Sequence, residues 1–115
     1  MSYHVTKKEE AEVYSPAGHY NMLATHIQMP DDVDGSVTLG LSHFLPGGGA
    51  EMGKAPVELI YFILEGEMTV TTDDGISHVL HAGDSIHFSP QQGRESKNTG
   101  CVTAQMLVIA VPPKN

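Results

Sequence analysis

Six consecutive apolar residues, Leu59 to Leu64, lie between a glycine-rich loop at Gly47, Gly48 and Gly49 and a turn at Glu65-Gly66. A short apolar run rich in aromatic and β-branched side chains, bounded by turn signals, reads as a strand buried on both faces. Met68-Thr69-Val70 then alternates as a second strand. Upstream, Tyr20 to Gln28 reads as a strand, Pro30 to Gly35 as an acidic loop, and Ser36 to Leu45 as an alternating strand. In that strand Val37, Leu39, Leu41, His43 and Leu45 share one face, and Thr38, Gly40, Ser42 and Phe44 the other. Thr72-Asp73-Asp74-Gly75 is a hairpin turn, because Asp-Gly accommodates positive φ. Ile76 to Leu80, Ser85 to Ser89, Arg94 to Asn98 and Val102 to Val111 follow as strands. Ala82-Gly83-Asp84, Pro90 to Gly93 and Asn98-Thr99-Gly100 separate them, and Pro112-Pro113 ends the order. At the start, Thr6-Lys7-Lys8-Glu9 has the form of a capping box and predicts one helical turn, with a turn at Ser15 to Gly18. Short strands with turns about every 8–12 residues specify an all-β sandwich or barrel.

Composition narrows the function classes. A chain of 115 residues that is 40% hydrophobic is expected to form one domain with its own core. The expected division is an arm with strands over 1–35 and a barrel over 36–111. A net charge of −8 with 6 Lys+Arg repels a phosphate backbone, so no nucleic-acid partner is expected. No apolar run approaches the ~20 residues of a membrane span. The first residues lack the apolar segment of a secretory signal. Cys101 is the single cysteine, which suits a reducing compartment, and a cytoplasmic location is expected.

Four pieces now carry a resemblance: Pro46-Gly47; Tyr61-Phe62-Ile63-Leu64-Glu65-Gly66-Glu67; Gly83-Asp84-Ser85-Ile86; and Asn98-Thr99-Gly100. In this order they resemble the two sequence blocks of the cupin superfamily, over about residues 36 to 111. The resemblance implies a double-stranded β-helix, a jelly-roll type of barrel. That fold carries many chemistries and names none. The resemblance also implies places for a metal. Its two histidine slots fall at Gly53 and Ala55, or at Met52 and Lys54; its Glu/Gln slot falls at Leu59; its last histidine slot falls at Arg94. Neither Gly53, Ala55 nor Leu59 offers a side-chain ligand, and an arginine stays cationic. No resident metal is expected, with Glu51 and Glu58 as fallback ligands if a bulge turns a side chain inward.

With the slot positions inward, Leu59, Tyr61 and Ile63 follow by the two-residue period, and Arg94 and Ser96 share inward parity on their strand. The expected site is an apolar cavity holding one guanidinium and one phenol, suited to a small anionic metabolite that Arg94 grips by its planar fork. Arg94 has an alternative as an internal partner of Glu51, Glu58 or Glu95. Of seven histidines, His43 and His87 sit within strands among apolar neighbours, where either is able to face the interior. With Tyr61 they are the candidate acid–base catalysts. Ile60, Phe62 and Leu64 point the opposite way and need cover, from another strand layer or a second subunit; the resemblance implies a homodimer. Three functions stay open: a metal-free binding module, a metal-independent isomerase, epimerase or lyase, and a metal-dependent dioxygenase or decarboxylase with unusual ligands.

Overall fold

The structure, a computed structural model, describes residues 3–29 and 36–112. The expected acidic loop at 30–35 and the second proline of the terminal pair lie outside them. Among the described residues nine strands form an antiparallel barrel: β1 Glu12–Tyr14, β2 His19–Gln28, β3 Thr38–Gly53, β4 Glu58–Glu65, β5 Glu67–Thr72, β6 Ser77–His81, β7 Ser85–Phe88, β8 Arg94–Asn98 and β9 Ala104–Val111. The hydrogen-bonded order is β6-β5-β8-β3-β9-β4-β7, with β2 also on β3 and β1 on β2.

The long strand β3 joins the two halves of the barrel. Its first part, Thr38 to Phe44, pairs with β9, and its last part, Gly49 to Gly53, pairs with β8. The glycine stretch, expected as a loop, is therefore strand, and its glycines are what let the strand turn the corner. Gly47 has φ +82, and a Cβ at Gly48 or Gly49 would collide with the carbonyl of Asn21 or Ser96.

The inward set of β4 is as expected, with Leu59, Tyr61 and Ile63 buried, but the strand is not buried on both faces: Ile60 and Leu64 are exposed. With Phe44, Met68, Val70, Phe88, Ala104 and Met106 the inward three form the core. On β3 the inward face is that of Ser42 and Phe44. The face with more apolar residues, which includes His43, points outward, because the pleat permits only one set inside. Asn98 fixes the β8–β9 turn: its Nδ2 donates to the carbonyls of Phe44 at 2.9 Å and Val102 at 2.8 Å, and its Oδ1 accepts from the Gly100 amide.

Two N-terminal details differ from expectation. The helical turn is 3-10 and covers Lys8–Glu10; Lys7 caps it without a side-chain bond, because the Thr6 hydroxyl pairs with His4 instead. Strand β1 has no sequence signature of its own and forms because β2 offers it a ladder. No helix among the described residues is long and apolar enough to cross a membrane.

Candidate functional site

Two adjacent cavities, of ≈ 250 and ≈ 220 Å³, open at one end of the barrel and share His19, Tyr61 and Arg94 in their walls. Arg94 starts β8, where its inward parity brings it under β4. Its Nε donates to the Tyr61 hydroxyl at 3.3 Å and its Nη1 to the Gly53 carbonyl at 3.0 Å. The guanidinium carbon lies 5.9 Å from the centre of the Phe88 ring, which itself meets Tyr61 edge-on at 5.0 Å. Among the described residues every ion pair joins a histidine to a glutamate, so Arg94 has no carboxylate partner. Nη2 makes no hydrogen bond there, and no buried side-chain nitrogen or oxygen lacks a partner, so this edge of the fork is accessible. A part-buried guanidinium with one free edge has N–H donors to spare for an acceptor group.

Leu59 lines the second cavity, and Ser96 and Glu51 line the first. Ile63 is fully buried below them, a core residue without access. The two candidate histidines are elsewhere. His43 lies on the outer face of β3, beside Leu41 and the N-terminal arm. His87 is on the outer face of β7, with Nε2 2.6 Å from Glu58 Oε2 and about half its side chain exposed. The expectation that either faces the interior is corrected for the same reason in both. Each alternates with a buried aromatic, Phe44 or Phe88, that takes the inward position. Glu58 accordingly points away from the cavity, with the parity of Ile60.

The residues that sequence reasoning missed come from the N-terminal strands. His26, on β2, lines the second cavity with its Nδ1 2.9 Å from Glu12 Oε1 on β1. A carboxylate only accepts, so Nδ1 carries the hydrogen and neutral His26 keeps Nε2 as its basic nitrogen. Tyr14 packs against His26 with the ring centres 3.9 Å apart and the planes tilted by 42°. Burial first, and then the Glu12 carboxylate, raise the Tyr14 hydroxyl above its ordinary pKa. His19 donates from Nδ1 to the Ala17 carbonyl at 2.8 Å, which leaves it the same free nitrogen. No local pattern marks these residues, since the Glu12–His26 pairing exists only through the β1–β2 register.

The cupin domain family profile matches residues 40–110 of the chain. A Mycobacterium tuberculosis protein named beta-D-galactosidase Rv1717 is 37% identical over 75 residues, 65% of this chain and 64% of that protein. The chain thus spans under two thirds of that relative's length. Two solved structures superpose with TM-scores of 0.81. One is a Thermotoga maritima protein described as a predicted oxalate decarboxylase, 20% identical, covering 96% of this chain and 100% of its own. The other is the polyketide cyclase RemF from Streptomyces resistomycificus, 16% identical, covering 98% and 81%. At those identities the likeness is one of fold.

The metal positions of the family can now be tested on this chain's chemistry. Gly53 and Ala55 bring no ligand atom, Leu59 is an alkyl wall, and Arg94 brings a cation hydrogen-bonded to Tyr61. That set does not fit a divalent ion. Among the described residues no three His, Cys, Asp or Glu side chains stand together as a ligand group. The matched span of more than half the chain and the barrel topology place this protein in the cupin family.

Proposed function

We propose that the barrel mouth binds a small anionic metabolite, with Arg94 as its anchor. The observation that carries this reading is the guanidinium without a carboxylate partner among the described residues, held by Tyr61 and Gly53 with Nη2 left over. Carboxylate or phosphate oxygens complete its donor set. Leu59 and Val108 provide an apolar wall that keeps water away and strengthens the attraction. The test is thermal: a panel of carboxylates and phosphorylated metabolites should include members that raise the melting temperature of the wild type and leave Arg94→Met unmoved. If no anion shifts the wild type, and Arg94→Met melts far lower, Arg94 is structural and the reading fails.

A second reading, catalysis on a sugar, draws on one further feature. Glu51 and Glu95 both lie at the rim of the first cavity beside His19, Glu95 with the outward parity opposite to Arg94 and Ser96, and the relative named a galactosidase supplies the substrate class. Glycoside cleavage calls for two carboxyl groups flanking one bond. Hydrolysis of a chromogenic β-D-galactoside by the wild type, lost in Glu51→Gln or Glu95→Gln, supports it. Absence of turnover at high enzyme concentration removes it and leaves the binding reading in place.

A further inference from the structure

The mouth holds a basic nitrogen that anion binding does not use. His26 sits on β2, ahead of the span 40–110 that the cupin profile matches, and lines the second cavity with Tyr61 and Arg94. Strand β1 holds its ring. Register sets Glu12 opposite His26, and Glu12 and Tyr14 share a face of β1 by the two-residue period. Glu12 Oε1 accepts from Nδ1 at 2.9 Å, and the Tyr14 ring packs against the imidazole. These two contacts fix the tautomer and restrict the ring plane. Glu12 is largely exposed and no part of the cavity wall, so the Nδ1 edge of the ring faces out and the Nε2 edge faces the cavity. Among the described residues Nε2 has no hydrogen-bond partner, and in this tautomer it is an acceptor. The Tyr61 hydroxyl has capacity left as well. It accepts from Arg94 Nε at 3.3 Å, and its own hydrogen has no acceptor among the described residues. With Arg94 Nη2 it makes two neighbouring donors for oxygen.

We propose that the mouth enolises a small α-keto acid, with His26 as the base; this rests on Arg94 as the anion's anchor. The hydrogens beside a plain carboxylate are too weakly acidic for an imidazole to remove. A ketone between the carboxylate and that carbon makes the removal feasible. His26 Nε2 takes a proton from the carbon next to the ketone. The C–H electron pair becomes the carbon–carbon double bond, and the carbonyl π pair moves onto the oxygen. Tyr61 and Arg94 donate to that oxygen, so the charge develops against donors already in place. Glu12, already bonded to Nδ1, balances the imidazolium. The proton returns to the same carbon, or passes to the oxygen to release the enol. The step needs no oxidant, reductant or co-reactant. A cavity of ≈ 220 Å³ equals roughly seven water volumes, so an acid of roughly six to nine non-hydrogen atoms reaches both base and anchor. Leu41, Leu59, Val108 and Ala110 share that wall and favour a branched alkyl side chain over a methyl group.

The experiment uses the full chain in deuterated water. Proton NMR follows the hydrogens next to the ketone in pyruvate and in the α-keto acid of leucine. The wild type should exchange them faster than buffer does, with the larger gain for the leucine analogue. His26→Gln should slow the exchange by roughly a hundredfold, or to the buffer rate, while the same acid still raises its melting temperature. Glu12→Gln, a positioning change, should slow exchange at saturation and leave the half-saturating concentration unmoved. Glu12 is the exposed end of the pair and carries the test if His26→Gln does not fold. A keto acid that raises the wild-type melting temperature without exchanging overturns the inference and leaves the binding reading standing. Exchange that survives His26→Gln and is lost in His19→Gln overturns it too, because the base is then His19. If neither keto acid shifts the wild type and another anion does, the substrate class is wrong and the inference falls alone. If no anion shifts it, both readings fall.

Discussion

The two ends of the barrel are built from the same strands with the same alternation, yet one is filled and the other open. On β4 the inward side chains run from Ile63 at 0% exposure to Tyr61 at 7%; on β3 from Phe44 at 1% to Ser42 at 7% and then Gly40. On β5 they run from Met68 and Val70, both 0%, to the less buried Thr72, and on β8 from Asn98 at 1% to the part-buried Arg94. At the closed end each inward position carries a side chain large enough, or bonded enough, to fill its space. Toward the mouth the inward residues of β3, β5 and β8 become small or polar, while β4 keeps Leu59 as an apolar wall. The site is thus made by leaving volume out of a continuous core, and its one cation stands where filling stops. Stability should belong to the closed end and recognition to the mouth.

The strongest way to break this division is Ile63→Ala. It opens a void where nothing else can collapse, and should cost about 2–5 kcal/mol in denaturant unfolding, with anion affinity per folded molecule unchanged. A loss of affinity without a loss of stability would reverse the assignment. Gly40→Leu sharpens the same division from the other side. A Cβ at Gly40 meets only the carbonyls of Thr25 at 3.6 Å and Val108 at 3.9 Å, an ordinary contact, and the residue lines the second cavity. The added side chain should fill the mouth and weaken anion binding at least about tenfold, about 1.4 kcal/mol, while the melting temperature holds or rises. Wild-type affinity in this variant would place the ligand elsewhere.

The smallest effect lies outside both ends. The Thr99 hydroxyl first, and then His81, hold the exposed Glu67 carboxyl below its ordinary value. A lowered folded-state value means a stabilisation present above the ordinary carboxylate range and lost as pH falls through the lowered one. Glu67→Gln should therefore be slightly less stable than wild type near neutrality, and the gap should close in acid. A gap that widens in acid would contradict the sign.

Much of the barrel was legible because strand alternation and turn chemistry are local. The inward set of Leu59, Tyr61 and Ile63, and the shared parity of Arg94 and Ser96, could be read by counting in twos. His43 and His87 were misread because apolar neighbours on a strand do not say which face is inside when both are apolar. The outer rows of β3, β9 and β4 are as hydrophobic as the inner ones. Tyr14, His19 and His26 were not legible, since their place in a cavity wall shared with Arg94 depends on where β1 and β2 run, and Glu12 joins them only through His26. No periodicity within Glu12 to Tyr14 encodes that path.

Whether Arg94 is a receptor or a brace is measured directly by isothermal titration of one bound anion against an Arg94 series. Lysine keeps the charge and loses the fork; methionine keeps an apolar stem and loses the charge. Affinity should fall in the order wild type, Arg94→Lys, Arg94→Met, with the last change costing roughly 2–4 kcal/mol of binding, as truncating one partner of a buried charge pair does. Fold stability should fall by less than that, or rise, because a part-buried cation with no carboxylate partner among the described residues is a liability in the free protein. Equal affinity across the three proteins, or a collapse of stability in Arg94→Met with no anion bound by the wild type, would contradict the receptor role.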